Sequence, residues 1–170
     1  TATMRLAQGL PRPATTSTQS RAQTATFSVT IDYWVRSSLA DIIFSGVLER
    51  YPSLKVVVAE FELGWIPHFL RMMDFIYKER YQQATYRFKN GMTPSDLFHR
   101  NVYVSFQEDI LGIEMRHHIG VDNLMWGSDY PHVESTWPRS QQVLEEILKG
   151  VPEDEKAKIS GANAASLYHI

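Results

Sequence analysis

The chain has 170 residues, 44% of them hydrophobic and 12% aromatic, a composition that indicates a folded protein with a substantial core. Lysine and arginine number 17 against 19 aspartates and glutamates, and without a long run of like charge the sequence favours a small-molecule substrate over nucleic acid or an anionic membrane. The chain contains no cysteine, which excludes disulfides and thiolate metal sites, and it shows neither a leader pattern nor an apolar stretch of about 18 residues, so we expect a cytoplasmic protein.

Residues 1–31 are predicted to form an extended loop or arm. Most of this stretch is rich in threonine, alanine, glutamine and serine and shows no regular apolar spacing. Phe27, Val29 and Ile31 alternate with polar residues as in a strand. The apolar spacing that follows is helical, however, and we place the start of a helix near Asp32.

Residues 32–170 are predicted to form an α/β unit in which strands and helices alternate. Apolar runs predict strands near 55–60, 101–106 and 123–127, and the β-branched run Lys55–Ala59 is typical of a parallel strand that is buried on both faces. Helical spacing predicts a long helix from Gly64 to about Phe88, a helix from Glu108 to Ile119 and a helix from Trp137 to Lys149, while Thr93-Pro94-Ser95-Asp96 begins a short helix with a capping box. This alternation predicts a parallel sheet.

Asp129 is the first candidate for chemistry, because it follows the third predicted strand immediately before a turn. Catalytic groups of α/β barrels lie at the carboxyl ends of strands, where the scaffold is rigid and faces the pocket. His132 lies in the same loop, where it would contact a substrate carboxylate. The alternatives are an aspartate that only orders a turn and a surface histidine.

Glu60 occupies the corresponding position after the first predicted strand. A carboxylate there would orient water or a ligand; alternatively, it pairs with a neighbouring arginine or lysine and fixes the loop. Glu62 is expected to face solvent. Ser105 and Gln107 end the second strand and are candidates to line a pocket, although no Gly-x-Ser-x-Gly elbow surrounds Ser105.

His117 and His118 do not form a convincing metal pair. Adjacent helical residues point about 100° apart, so the two rings cannot bind one ion as a His-x-His pair does on a strand. Their position in the last turn of a helix predicts a favourable interaction with the helix dipole instead.

Four stretches, in this order, resemble the amidohydrolase-related family, which includes aminocarboxymuconate-semialdehyde decarboxylase and its metal-dependent relatives. They are FSGVLERYPSLK at 44–55, VAEFELGWIP at 58–67, WGSDYPH at 126–132 followed by Trp137-Pro138, and NAASLY at 163–168. Each stretch is weak alone, but together they indicate the family, though not one reaction. The similarity runs from about Leu39 to the last residue.

The resemblance implies the C-terminal portion of a TIM (β/α)8 barrel of the metal-dependent hydrolase type. A complete barrel needs about 250 residues, and the similarity covers the second half, beginning after the fifth strand. The family's His-x-His pair on the first strand, and a further histidine on the fifth, are therefore expected to lie outside this sequence.

The same resemblance implies a role for Asp129 as a metal ligand or as the proton-transfer carboxylate beside the metal. The implied cofactor is a divalent metal, with zinc as the expected ion. Glu60 departs from the family pattern, in which many members carry a histidine. A carboxylate cannot serve as a cationic clamp for an acidic substrate.

Two functions are consistent with the sequence. The first is a metal-dependent amidohydrolase-like enzyme, either a hydrolase or a non-oxidative decarboxylase (carboxy-lyase), acting on a small carboxylated or cyclic substrate, with Asp129, Glu60 and His132 as catalytic residues. The second is a catalytically incomplete half-barrel that is inactive alone or needs a partner chain. Because the strands would have open edges, we expect a homo-oligomer or association with the missing half of the barrel.

Overall fold

The structure is a computed structural model that describes residues 25–170, so most of the predicted arm lies outside the described part of the chain. The chain divides into two units, Thr1–Asp32 and Tyr33–Ile170. In the first unit, helix α1 (Ala25–Val29) occupies the end of the stretch predicted as extended. The Thr30 N–H donates to the Phe27 carbonyl at 3.1 Å, a local bond of the kind that favours a helical turn over a strand.

The second unit alternates short helices with three described strands. In chain order the elements are α2 (Asp32–Phe44), α3 (Val47–Arg50), β1 (Val56–Val58), α4 (Ile66–Glu79), α5 (Pro94–Asn101), β2 (Val102–Phe106), α6 (Ile110–Glu114), α7 (Arg116–Ile119), β3 (Leu124–Trp126), α8 (Ser140–Ile147), α9 (Glu153–Ala157) and α10 (Asn163–Tyr168). Across the described residues, no helix combines the length and the apolar character that crossing a bilayer requires.

The three strands form one parallel sheet in the order β1-β2-β3. Val56 pairs with Val102, and Val104 pairs with Leu124. Parallel neighbours joined through helices are the repeating unit of an α/β barrel, and the predicted α/β fold is confirmed. All three carboxyl ends therefore lie at the same edge of the sheet.

Side chains on one face of the sheet form the core. Val102, Val104 and Phe106 alternate along β2 and are at most 1% exposed. On β1, Val58 is buried while Val57 is 38% exposed. The prediction that the first strand is buried on both faces is therefore wrong, because Val57 lies on the face opposite Val58 and remains exposed.

The long helix ends earlier than the apolar spacing predicted. It stops at Glu79 because the chain turns back against Tyr77, whose hydroxyl accepts a hydrogen bond from the Phe88 N–H at 2.7 Å. The rings of Tyr77 and Phe88 stack at 4.8 Å. The Arg87 guanidinium also donates to the Tyr77 carbonyl. Phe88 is therefore buried against the helix and does not extend it.

Two other helices are shorter than predicted. The Glu108–Ile119 segment divides into α6 and α7 at Met115, whose backbone (φ −93°, ψ 7°) leaves the helical region. Helix α8 begins at Ser140, because the Arg139 N–H bonds to the Thr136 carbonyl in a preceding turn. By contrast, the capping box predicted at Thr93 is present, with reciprocal bonds to Asp96.

Three buried asparagines hold the amino ends of the strands together. The Asn101 amide donates to the carbonyls of Pro52 and Leu54 ahead of β1. Asn123 donates to the carbonyls of His99 and Val102, and Asn163 donates to those of Val121 and Leu124. Each amide thus supplies donors to two backbone carbonyls near the amino ends of the strands. This edge of the sheet has a stabilising role.

Asn123→Ala is therefore expected to lower the free energy of unfolding by about 2–4 kcal/mol, because two bonds are lost and the buried Val102 carbonyl loses a donor. Urea denaturation of both proteins measures the difference. Gln142→Ala on the exposed face of α8 is the control and should change stability by less than about 0.5 kcal/mol. An Asn123 variant as stable as that control would contradict the prediction.

Candidate active site

The loops that follow the three strands meet at the carboxyl edge of the sheet. Glu60 follows β1, and Asp129 follows β3. Between them, the Ser105 hydroxyl at the end of β2 accepts a hydrogen bond from the Glu60 N–H at 3.3 Å. The strand order β1-β2-β3 therefore brings two acidic residues from distant parts of the chain to one place.

The Glu60 carboxyl group lies within hydrogen-bonding reach of the Asp129 side chain and bonds to it when one of the two groups is protonated. That bond, together with the negative charge of Asp129, raises the pKa of Glu60 above its ordinary value. Two carboxyl groups can share a hydrogen bond only when one of them carries a proton. Glu60 is therefore protonated more readily than a free glutamate. The alternative predicted for Glu60 was an ion pair with a neighbouring arginine or lysine. In the structure, the neighbour of its carboxyl group is Asp129.

His132 completes this cluster. Its Nδ1 atom lies 2.9 Å from Asp129 Oδ2, and its backbone N–H donates to the Asp129 carbonyl at 2.8 Å. The Asp129 side chain is 15% exposed and that of His132 is 58% exposed. The structure thus places the three residues singled out in the sequence in contact, with the histidine on the solvent side.

Three acidic residues at this edge have left-handed backbone conformations. Their φ values are 67° at Glu60, 50° at Glu62 and 55° at Asp129. Such conformations are uncommon outside glycine and cost on the order of 1 kcal/mol each. Backbone strain of this kind clusters at functional sites, where the fold sustains it to aim a side chain.

Glu62 does not face solvent, and that prediction is wrong. Its carboxylate accepts the N–H groups of Gln107 and Glu108 at 3.4 Å, and burial raises its pKa. The left-handed turn at Glu62 folds the β1 loop over the end of β2, which sequence periodicity does not reveal.

Asp109 holds the same loop and was not recognised in the sequence. One carboxylate oxygen accepts the N–H groups of Leu63 and Gly64 at 2.7 and 2.6 Å, and the other accepts the Gly112 N–H at 2.7 Å. A Cβ atom at Gly112 would lie 2.2 Å from the Leu63 Cβ, so glycine is required for this approach. The sequence signal that could have identified Asp109 is its position at the start of a helix, three residues before Gly112, where an aspartate caps the helix.

His117 lies away from this edge and pairs with Glu155. Its Nε2 atom is 2.8 Å from Glu155 Oε1, and the other carboxylate oxygen is 2.5 Å from Arg116 Nε. These contacts hold α7 against α9. Neither His117 nor His118 takes part in the Glu60–Asp129 cluster.

The described residues fit part of a metal site. Carboxylate oxygens suit divalent cations, and the close pair of Glu60 and Asp129 has the excess negative charge that a cation would neutralise. Within residues 25–170, however, no group of three or more histidine, cysteine, aspartate or glutamate side chains has the arrangement of a metal site. Asp129 and Glu60 therefore supply two donors and not a complete ligand set.

The model of one protein family, described as Amidohydrolase, matches residues 37–170. No curated protein is matched by the sequence.

Several solved structures share the fold. A 5-carboxyvanillate decarboxylase from Sphingomonas paucimobilis is 26% identical with a TM-score of 0.66, over 79% of this chain and 39% of that one. An amidohydrolase from Mycobacterium avium subsp. paratuberculosis is 27% identical with a TM-score of 0.68, over 83% of this chain and 35% of that one. A dihydroxybenzoic acid decarboxylase from Polaromonas, with bound manganese and the inhibitor 2-nitroresorcinol, is 19% identical with a TM-score of 0.61, over 79% of this chain and 39% of that one. The chain thus spans about two fifths of the length of these proteins.

Proposed function

The chain belongs to the amidohydrolase family, and we propose that it carries part of the active site of a metal-dependent hydrolase or non-oxidative carboxy-lyase that acts on a small carboxylated or cyclic compound. The contact between Glu60, Asp129 and His132 at the carboxyl edge of a parallel sheet is the observation that carries this proposal. The names of the decarboxylases with the same fold support the ring substrate.

We assign proton transfer to the Asp129 carboxylate. Its low exposure limits competition from water, and its bonds to Glu60 and His132 fix its orientation. Glu60 holds a proton at a higher pH than a free glutamate does, so it can relay one to Asp129. His132, on the solvent side, is positioned to meet the carboxylate of an entering substrate. In decarboxylation, Asp129 would deliver the proton to the ring carbon that loses carbon dioxide. In hydrolysis, Asp129 would take the proton from the attacking water.

A divalent cation is the proposed cofactor, with Asp129 as a ligand and Glu60 as its neighbour. When bound, the ion would supply Lewis-acid activation of water or of substrate oxygens. Zinc is the ion predicted from the sequence, while manganese is bound in a relative of the same fold. We propose that both ions support the reaction, because carboxylate donors accept either one.

The proposal is tested by incubating the purified protein with zinc or manganese and two substrate panels. One panel contains hydroxylated benzoates, assayed for released carbon dioxide, and the other contains cyclic amides and lactones, assayed for ring opening. Metal-dependent turnover in either panel supports the proposal and decides between its branches. Turnover in neither panel, with stoichiometric metal bound, would contradict it.

Glu60→Gln is expected to change the pH dependence of activity, because the raised pKa of Glu60 then no longer contributes a titration. In the wild type, titration of Glu60 should appear as a step in this profile, and the step should vanish in the variant. Measuring kcat/KM from pH 4 to 9 detects it. An unchanged profile with a lowered melting temperature would show that Glu60 only supports the loop. Glu134→Gln, in the same loop as Asp129, is the control and should keep the wild-type profile.

A catalytically incomplete unit is the second candidate function. It is favoured by the two-donor metal site and by the outer edges of β1 and β3, which pair with no other strand in the described part of the chain. Metal analysis after dialysis separates the two candidates. Less than about 0.1 metal ion per chain in the isolated protein, with stoichiometric metal when a partner chain is present, would favour the incomplete unit.

A further inference from the structure

We infer that Gln107 is the positioning residue that holds the Asp129 loop where Asp129 meets Glu60 and His132. This inference rests on the proposed function, because it concerns the same three side chains. Gln107 follows the last residue of β2, between the two loops that carry the acidic pair. It bonds to both loops through separate groups, its backbone N–H to Glu62 and its side-chain amide to Ser128 and Glu134.

The Gln107 carboxamide bridges the two ends of the Asp129 loop. Its Nε2 atom donates to the Ser128 carbonyl at 3.3 Å and to the Glu134 carbonyl at 3.2 Å. Ser128 immediately precedes Asp129, so the first bond acts on the residue that sets the Asp129 backbone. A single amide nitrogen thus uses both of its protons to keep the loop closed.

The Ser128 carbonyl accepts hydrogen bonds from within the loop as well as from Gln107. It accepts the Ser135 hydroxyl at 2.7 Å and the Thr136 N–H at 3.1 Å. Thr136 is only 2% exposed. These bonds close the loop on itself, whereas the bond from Gln107 ties it to the sheet. Without that tie, the start of the loop is still held by the Gly127 N–H bond to the Phe106 carbonyl at 3.0 Å, while the rest of the loop can shift relative to Glu60.

The backbone of Gln107 is itself fixed from two sides. Its carbonyl accepts the Trp126 Nε1–H at 3.0 Å, and its N–H donates to Glu62 Oε2 at 3.4 Å. The first contact links it to β3 and the second to the loop after β1. Gln107 therefore fixes the Asp129 loop relative to the Glu60 loop. It does so without bonding to the side chains of Glu60, Asp129 or His132.

Gln107→Met and Gln107→Glu test this role. Methionine keeps the length of the side chain without a donor, and glutamate keeps its shape but, when ionised, presents only acceptors to the two carbonyls. Amide hydrogen exchange measured by NMR is the main readout, since it needs neither metal nor substrate. We expect the N–H groups of His132 and Thr136 to exchange at least tenfold faster, with Val104 and Leu124 unchanged. Gln141→Met on α8, whose amide contacts only the exposed Glu145, is the matched control.

Four outcomes would overturn the inference or separate it from the proposed function. Unchanged exchange at His132 and Thr136 would overturn it, and so would equal acceleration at Val104, which indicates general destabilisation. In protein with measurable turnover, kcat should fall at least tenfold while KM changes less than twofold, and an unchanged kcat would overturn the positioning role. If the wild type has no turnover, the proposed function fails, whereas the exchange pattern still decides whether Gln107 holds the loop.

Discussion

Asp129→Asn is expected to lower kcat at least a hundredfold in protein with measurable turnover, equivalent to about 3 kcal/mol or more of transition-state stabilisation. Asparagine has nearly the same shape and tolerates the left-handed backbone found at φ 55°, so the loop should keep its conformation. It cannot, however, carry a proton between Glu60 and a substrate, and it is a poorer metal ligand.

Steady-state kinetics, metal content and circular dichroism should be measured on the same preparation. Asp41→Asn, on the exposed side of α2, is a matched control that changes the same functional group away from the site. It should retain wild-type kcat. An Asp129 variant with wild-type turnover and intact metal content would remove Asp129 from the mechanism.

Much of the sheet could be predicted from apolar runs and their spacing. Lys55–Ala59 contains three consecutive valines, and Val56–Val58 is the strand in the structure. Helix ends were harder to predict, because the contacts that end the long helix at Glu79 are tertiary and leave no local pattern. Tyr77 stacks on Phe88 and bonds to its N–H, and those contacts override a helical pattern.

The position of a side chain at a strand end is readable from sequence, but its partners are not. Glu60 and Asp129 were both recognised as residues that follow a strand, and the parallel order of the strands brings them together. Glu62 and Asp109 were misjudged or missed, because their partners lie 45 or 46 positions away. Such loop-to-loop bonds have no period, so no local pattern predicts them.

The two edges of the sheet serve different purposes. Asparagine amides at the amino edge satisfy backbone carbonyls and are expected to affect stability. Acidic residues at the carboxyl edge have left-handed backbones and share hydrogen bonds, features that cost stability and are tolerated where chemistry is performed. The same division between a stabilising face and a catalytic face is general in α/β barrels.

The open face of the sheet leads to the second large prediction, that the purified chain associates at micromolar concentration. Val57 is 38% exposed in the middle of β1, and Leu54 and Tyr168 nearby are 43% and 57% exposed. In the described part of the chain, β1 and β3 also leave one backbone edge each without a strand partner. Unpaired edges and contiguous apolar surface favour association. A stable interface should bury more than about 1,000 Å² and include these side chains.

Light scattering with size-exclusion chromatography measures the oligomeric state, and Val57→Lys tests which surface is responsible. A charge in the middle of the open face should raise the concentration at which the chain associates at least tenfold, because the lysine would lose its hydration in the interface. Val133→Lys is the matched control, because Val133 is 91% exposed in the Asp129 loop, away from the sheet face. Equal behaviour of the two variants would exclude the open face as the interface. A wild-type chain that is monodisperse, monomeric and cooperatively melting would contradict association altogether, because a face this apolar would then be stable in water without a partner.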